Sequence, residues 1–126
     1  MDEFEIRELT SEDIPYMQLQ LPDVKVIFET VKGSKHTQLF NTLMERAIIY
    51  SRIRVDWYYA EMHEQIKMDF DRTAAHDEFI LSCAALHQKM RESGEDTKWR
   101  VAIGSDRKSI GDFACLLHAV VGIKAR

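Results

Sequence analysis

From Lys35 to Glu92 the chain contains neither glycine nor proline, and over much of that length its apolar residues recur every three or four positions. Phe40, Met44, Ala47, Ser51, Val55, Tyr58, Met62 and Ile66 form one such series, the spacing of a single helix face. Nothing in the stretch supplies a turn residue. The pattern predicts one long or kinked helix over residues 36–68. At 1.5 Å per residue it would be roughly 50 Å long, too long for a compact monomer unless it breaks near the β-branched cluster "RIRVDW" or packs against another subunit.

The next series, Phe79, Cys83, Leu86 and Met90, predicts a second helix capped at Asp71 or Thr73 and ended by Gly94. A further turn closes at Gly104. The final helix starts at Ser105 or Asp106, carries Ile110, Phe113, Ala114, Leu117 and Val121 inward, and stops at Gly122. Before residue 35 the pattern differs. "FEIR" and "DVKVIFETV" alternate, the latter placing Val24, Val26 and Phe28 on one strand face, and Ser34 offers a cap after Gly33. The expected fold is therefore mainly α: a single domain over 1–126, with a helical bundle around one long central helix in 35–126. A short acidic N-terminal β or extended segment occupies 1–34.

Charge is divided along the chain. Residues 1–31 hold Asp2, Glu3, Glu5, Glu8, Glu12, Asp13, Asp23 and Glu29 against only Arg7 and Lys25, while the whole chain carries a net charge of −4. Such a balance argues against non-specific nucleic-acid binding, which needs many phosphate contacts. No apolar run reaches the ~18 residues of a membrane span, and "MDEFEIRELT" is not the start of a secretory signal. Cys83 and Cys115 are too few for a disulfide framework, so a cytoplasmic protein with reduced thiols is expected.

Candidate chemistry centres on the C-terminal stretch "SDRKSIGDFACLLHAVVG". Asp106 suits a helix N-terminus; Arg107 and Lys108 oppose the helix dipole there, which calls for an acidic partner or a bound small anion. Asp112, four residues after Lys108, is placed for an intrahelical ion pair. Phe113 to Val121 is apolar all round apart from His118, so the helix should be buried. Cys115 with His118 and Cys83 with His87 each share a helix face, the donor set of a zinc site if the two faces meet, but buried thiols and hydrogen-bonded histidines are the expected reading, since nothing resembles a zinc knuckle. Trp57, Tyr58 and Tyr59 in succession cannot all face one core, so at least one ring belongs on the surface or at an interface between copies of the chain.

Three resemblances bear on function. His36, the His76–Asp77 pair and Asp112 resemble in order the metal ligands of HD-type phosphohydrolases. That likeness implies a metal-bound water attacking a phosphate ester, with His76, Asp77 and Asp112 at the reaction centre. "EIRELTSEDIPYM" is similar to the first strand and helix of GNAT acetyltransferases, but the glycine-rich pyrophosphate loop of that family has no counterpart. "GED", "WR", "DRK", "IGDFAC" and the closing "AR" resemble the end of small proteins of bacterial phages and mobile elements, which implies an accessory factor and no particular reaction. Together these readings favour a non-enzymatic, self-associating binding protein without a cofactor. Its expected partners are a protein or a small anionic ligand at Asp106, Arg107 and Lys108, with Trp57, Tyr58 and Tyr59 as a second contact surface. An HD-like hydrolase is the alternative.

Overall fold

In a computed structural model, residues 21–125 are described, with side-chain environments for 23–122. Five helices follow in order: α1 (Leu21–Lys32), α2 (Thr37–Tyr59), α3 (Met62–Glu92), α4 (Lys98–Ala102) and α5 (Arg107–Ala125). The architecture is the expected helical bundle with one long helix, and the described residues contain no strand. None of the described helices is long and apolar enough to cross a membrane. The strand expected at "FEIR" lies outside the described residues.

The alternation in "DVKVIFETV" does not make a strand. Val24, Ile27, Phe28 and Val31 are buried together, the i, i+3, i+4, i+7 pattern of a helix, while Val26 is 69% exposed. Two overlapping periodicities run through this segment, and the helical one buries four side chains where the strand would bury Val24, Val26 and Phe28.

The long helix is not where the sequence predicts it. The chain reverses at Ala60–Glu61, so residues 36–68 are divided between α2 and α3, and α3 runs for 31 residues straight through Asp71 and Thr73, the expected caps. No side-chain cap marks the break. It is held instead by Trp57 at the end of α2. The Gln65 side-chain amide donates to the Trp57 carbonyl at 2.9 Å, the Trp57 indole N–H donates to Asp69 at 3.1 Å, and the Arg72 guanidinium lies 4.3 Å from the centre of the indole ring. Residues 65, 69 and 72 follow one face of α3. The turn is therefore specified from the helix it leads into.

Glycine placement answers the sequence at two turns. Gly94 has φ 75°, and the Glu95 N–H to Met90 carbonyl and Gly94 N–H to Arg91 carbonyl bonds complete a Schellman end to α3. Gly104, at φ 81°, closes the α4 turn. Gly122 does not stop α5, which continues to Ala125. Ser34 accepts from the His36 N–H at 3.1 Å within the α1–α2 turn, while the α2 N-cap position is His36 itself.

The core lies where α2, α3 and α5 meet, closed at one side by α1 and α4. Phe79 of α3 and Phe113 of α5 pack with ring centres 5.9 Å apart, and Trp99 of α4 stacks on Phe113 at 6.5 Å. The predicted seams Phe79–Cys83–Leu86–Met90 and Ile110–Phe113–Ala114–Leu117 are all buried. Every residue of α5 from Ser109 to Val120 is buried, as its all-round apolarity requires.

Candidate functional site

At one end of the core the three long helices part around a cavity of about 290 Å³. From α2 come Tyr50, Arg54 and Trp57, spaced i, i+4, i+7 so that one face presents all three. From α3 come Arg72, Thr73 and His76, again within one turn. The first turn of α5 adds Arg107 and Lys108. Asp106 precedes them as the cap: its carboxylate accepts the Ser109 N–H at 3.1 Å, and that bond lowers its pKa.

The walls carry four cations, Arg54, Arg72, Arg107 and Lys108. Three carboxylates answer them. Asp112, fully buried on α5, accepts from Arg54 at 2.7 Å and from Lys108 at 3.0 Å, so the intrahelical pair read from the sequence is present and α2 shares its acceptor. Asp77 pairs with Arg107 at 3.0 Å and Asp69 with Arg72 at 3.2 Å, both at exposed edges. Asp106, beside Lys108 at the start of α5, is a fourth carboxylate, so the cations are balanced in number, but Arg54 and Arg72 are partly desolvated, where fields act more strongly than in open solvent. Burial alone would lower the Arg54 pKa, but Cys115, Tyr50 and Asp112 around it raise it above the ordinary arginine value, so its charge is permanent. Burial raises the Tyr50 pKa, against the opposing pull of Arg54 and Arg72, so its phenol keeps its hydrogen at neutral pH.

Gly111 lets these groups approach. A Cβ there would stand 2.7 Å from the Tyr50 hydroxyl and 3.0 Å from Arg54 Nη1, so the α2 face seats against bare backbone of α5.

His76 is 4% exposed and lies edge-on to Tyr50, with ring centres 5.1 Å apart. Its Nε2 donates to the Arg107 carbonyl at 2.8 Å, while Nδ1 has no hydrogen-bond partner among the described residues. Burial is the main cause of a lowered pKa, opposed by the carbonyl bond. Arg72 Nε, one turn earlier on α3, is buried and without a hydrogen-bond partner among the described residues, although the Arg72 side chain also acts on the Tyr50 phenol.

The structure brings Arg107, Lys108, Trp57 and His76 to one cavity. Tyr58 and Tyr59 point away from it, 62% and 68% exposed, their rings edge-on at 5.2 Å. The HD-like set is divided. His36 lies 2.8 Å from Ser93 Oγ and 3.4 Å from Glu95, where the α1–α2 turn meets the end of α3; Asp77 holds Arg107; Asp112 holds Arg54 and Lys108. Among the described residues no three His, Cys, Asp or Glu side chains are placed to share a metal ion. The two Cys–His pairs face different neighbours. Cys115 and His118 look towards α2, with Arg54 Nη1 3.8 Å from the thiol and Ser51 2.9 Å from the imidazole; His87 lies beside Trp99. Both thiols are free and buried, and burial pushes the Cys83 pKa up to about 12.

Tyr50, Arg54 and Arg72 escaped the sequence reading. The signal was present for the first two: an aromatic and an arginine four apart on a predicted helix. What it lacked was the partner helix, since Arg72 falls where a new helix was expected to begin. Compared with protein-family models, curated proteins and solved structures, the chain shows no significant match to any.

Proposed function

We propose that this chain is a non-enzymatic cytoplasmic binding protein that holds a small anion in the cavity between α2, α3 and α5. One observation carries the reading: four cationic side chains, Arg54, Arg72, Arg107 and Lys108, converge from three helices on one concave, partly desolvated site. Concave sites with a few convergent polar groups are where small ligands bind. Two cations at the start of α5, unfavourable with respect to its dipole, fit a site in which an anion offsets both.

Self-association belongs to the same proposal. It is supported by Tyr58, Tyr59, Met62, Ile66 and Phe70, which are 62% to 81% exposed around the α2–α3 turn. The accessory-factor part rests on the C-terminal resemblance to phage and mobile-element proteins.

The test is titration calorimetry with inorganic phosphate at low ionic strength, on the full chain and on Arg72→Gln. Saturable binding by the first and at least tenfold weaker binding by the second is the expected result. An absence of binding at millimolar phosphate removes the anion site. Light scattering on the same samples should give a mass above 14.7 kDa; the monomer mass removes self-association.

A further inference from the structure

The long helix α3 is apolar on two sides. Its inner side buries Phe79, Cys83, Leu86 and Met90 in the core. The opposite side carries Met62, Ile66, Phe70, Ala74, Leu81 and Ala85, all exposed, with Phe70 at 81% and Leu81 at 63%. At 3.6 residues per turn these six fall within about 140° of the helix circumference, turned away from the core seam. The titratable residues on this side are His63 and Lys67, both beside Glu64, then Asp77, drawn to Arg107 on α5 at 3.0 Å, and Glu78. The exposed parts of the six apolar side chains come to roughly 650 Å² per copy. That is more than the largest apolar patch of most monomers, and close to the ~800 Å² that each partner buries in a standard interface.

We propose, resting on the self-association above, that this outer face of α3 is the contact between two copies of the chain, which cross antiparallel about a two-fold axis near Ala74. The second copy is the occupant because the stripe is complementary to itself, as a two-fold interface requires. Run parallel, each residue lies level with its own counterpart, Phe70 with Phe70 and Asp77 with Asp77. Run antiparallel, Ile66 lies level with the partner's Leu81 and Met62 with the partner's Ala85. Ala74 leaves room at the crossing for the partner's Phe70, large beside small. The antiparallel two-fold also brings the same edge of both stripes together. Lys67, on that edge in the first half, then approaches the partner's Glu78 in the second, so opposite charges meet where like charges otherwise would.

Light scattering tests the face. The unaltered chain should show twice the 14.7 kDa mass of one copy. Phe70→Ser combined with Leu81→Ser alters two exposed positions that the core does not use, and should return the mass to that of one copy. A single mass for the unaltered chain overturns self-association as a whole. A double mass that survives both substitutions overturns this face and leaves self-association standing. Disulfide capture under copper phenanthroline tests the direction, and the native thiols, both buried, do not compete. Ile66→Cys mixed with Leu81→Cys should give a cross-linked pair. Neither variant alone should, because like positions then stand about 22 Å apart along the helices, beyond the reach of a disulfide. A cross-link within either variant alone means a parallel pair and overturns the antiparallel crossing. No cross-link in the mixture overturns the register about Ala74.

Discussion

Asp112 and Phe113 are neighbours in the chain and both are fully buried, yet they belong to opposite kinds of interior. Phe113 points into a dry end of the core with Phe79, Trp99 and Leu86, where cohesion comes from area and shape. Asp112 points into a wired end, where Arg54 and Lys108 converge on one carboxylate and His76 hangs from a backbone carbonyl. The same three helices build both, and α3 passes from one to the other between His76 and Phe79, in less than a turn. The dry end is closed by contacts among its own residues. The wired end gathers four cations and their carboxylates around a cavity, the condition of a site rather than of a core, while buried polar atoms without a partner among the described residues occur at both ends, Arg72 Nε and His76 Nδ1 in one and Trp99 Nε1 in the other.

This division should be measurable. Phe79→Ala removes a side chain with no exposure from the dry end, and should cost about 3–5 kcal/mol in urea denaturation. Surviving folded protein should bind phosphate as before; lost affinity would show that the two ends are coupled. Asp112→Asn breaks the wired end. Arg54 and Lys108 are partly exposed, so solvent absorbs some of the loss, and a destabilisation of about 2 kcal/mol is expected, below the usual figure for a fully buried pair. The variant also frees two cations, so phosphate binding should tighten; weaker binding would mean that Asp112 positions those cations for the ligand.

The smallest effect is on pH dependence. Burial lowers the His76 pKa below its ordinary 6.5, so the unfolded chain binds a proton more readily than the folded one. Stability should be full above pH 6.5 and fall as the pH drops below it. His87, also lowered by burial and by Arg91 and Arg100, adds in the same direction. His76→Gln should flatten the decline in the denaturation midpoint between pH 6.5 and 5; an unchanged slope would leave it to His87 and the carboxylates.

Much of the dry end was legible in the sequence. Phe79, Cys83, Leu86, Met90, Ile110, Phe113 and Leu117 are apolar residues at helical spacing, and the helical period alone places them inward. The α2–α3 turn was not legible, because it has no glycine, proline or side-chain cap and depends on Trp57 meeting residues eight to fifteen positions later. Missing that turn also hid the site. With residues 36–68 taken as one helix, Tyr50 and Arg54 have no reason to meet Arg72 and His76. The α1 segment was misjudged for a different reason: four residues of alternation look the same whether or not a helical stripe lies beneath them. Lys108 and Asp112 were read correctly because their pairing is local.

A cylinder greased on every side has no preferred angle of rotation. From Ser109 to Val120 α5 is such a cylinder, and turning it about its axis would change the buried area little. Directional bonds to α2 remove the freedom. Asp112 to Arg54, with His118 beside Ser51 further along, act as the two teeth of a key, and Gly111 is the slot that lets the lock close on it. The polar atoms inside this bundle therefore do for orientation what its apolar atoms do for cohesion.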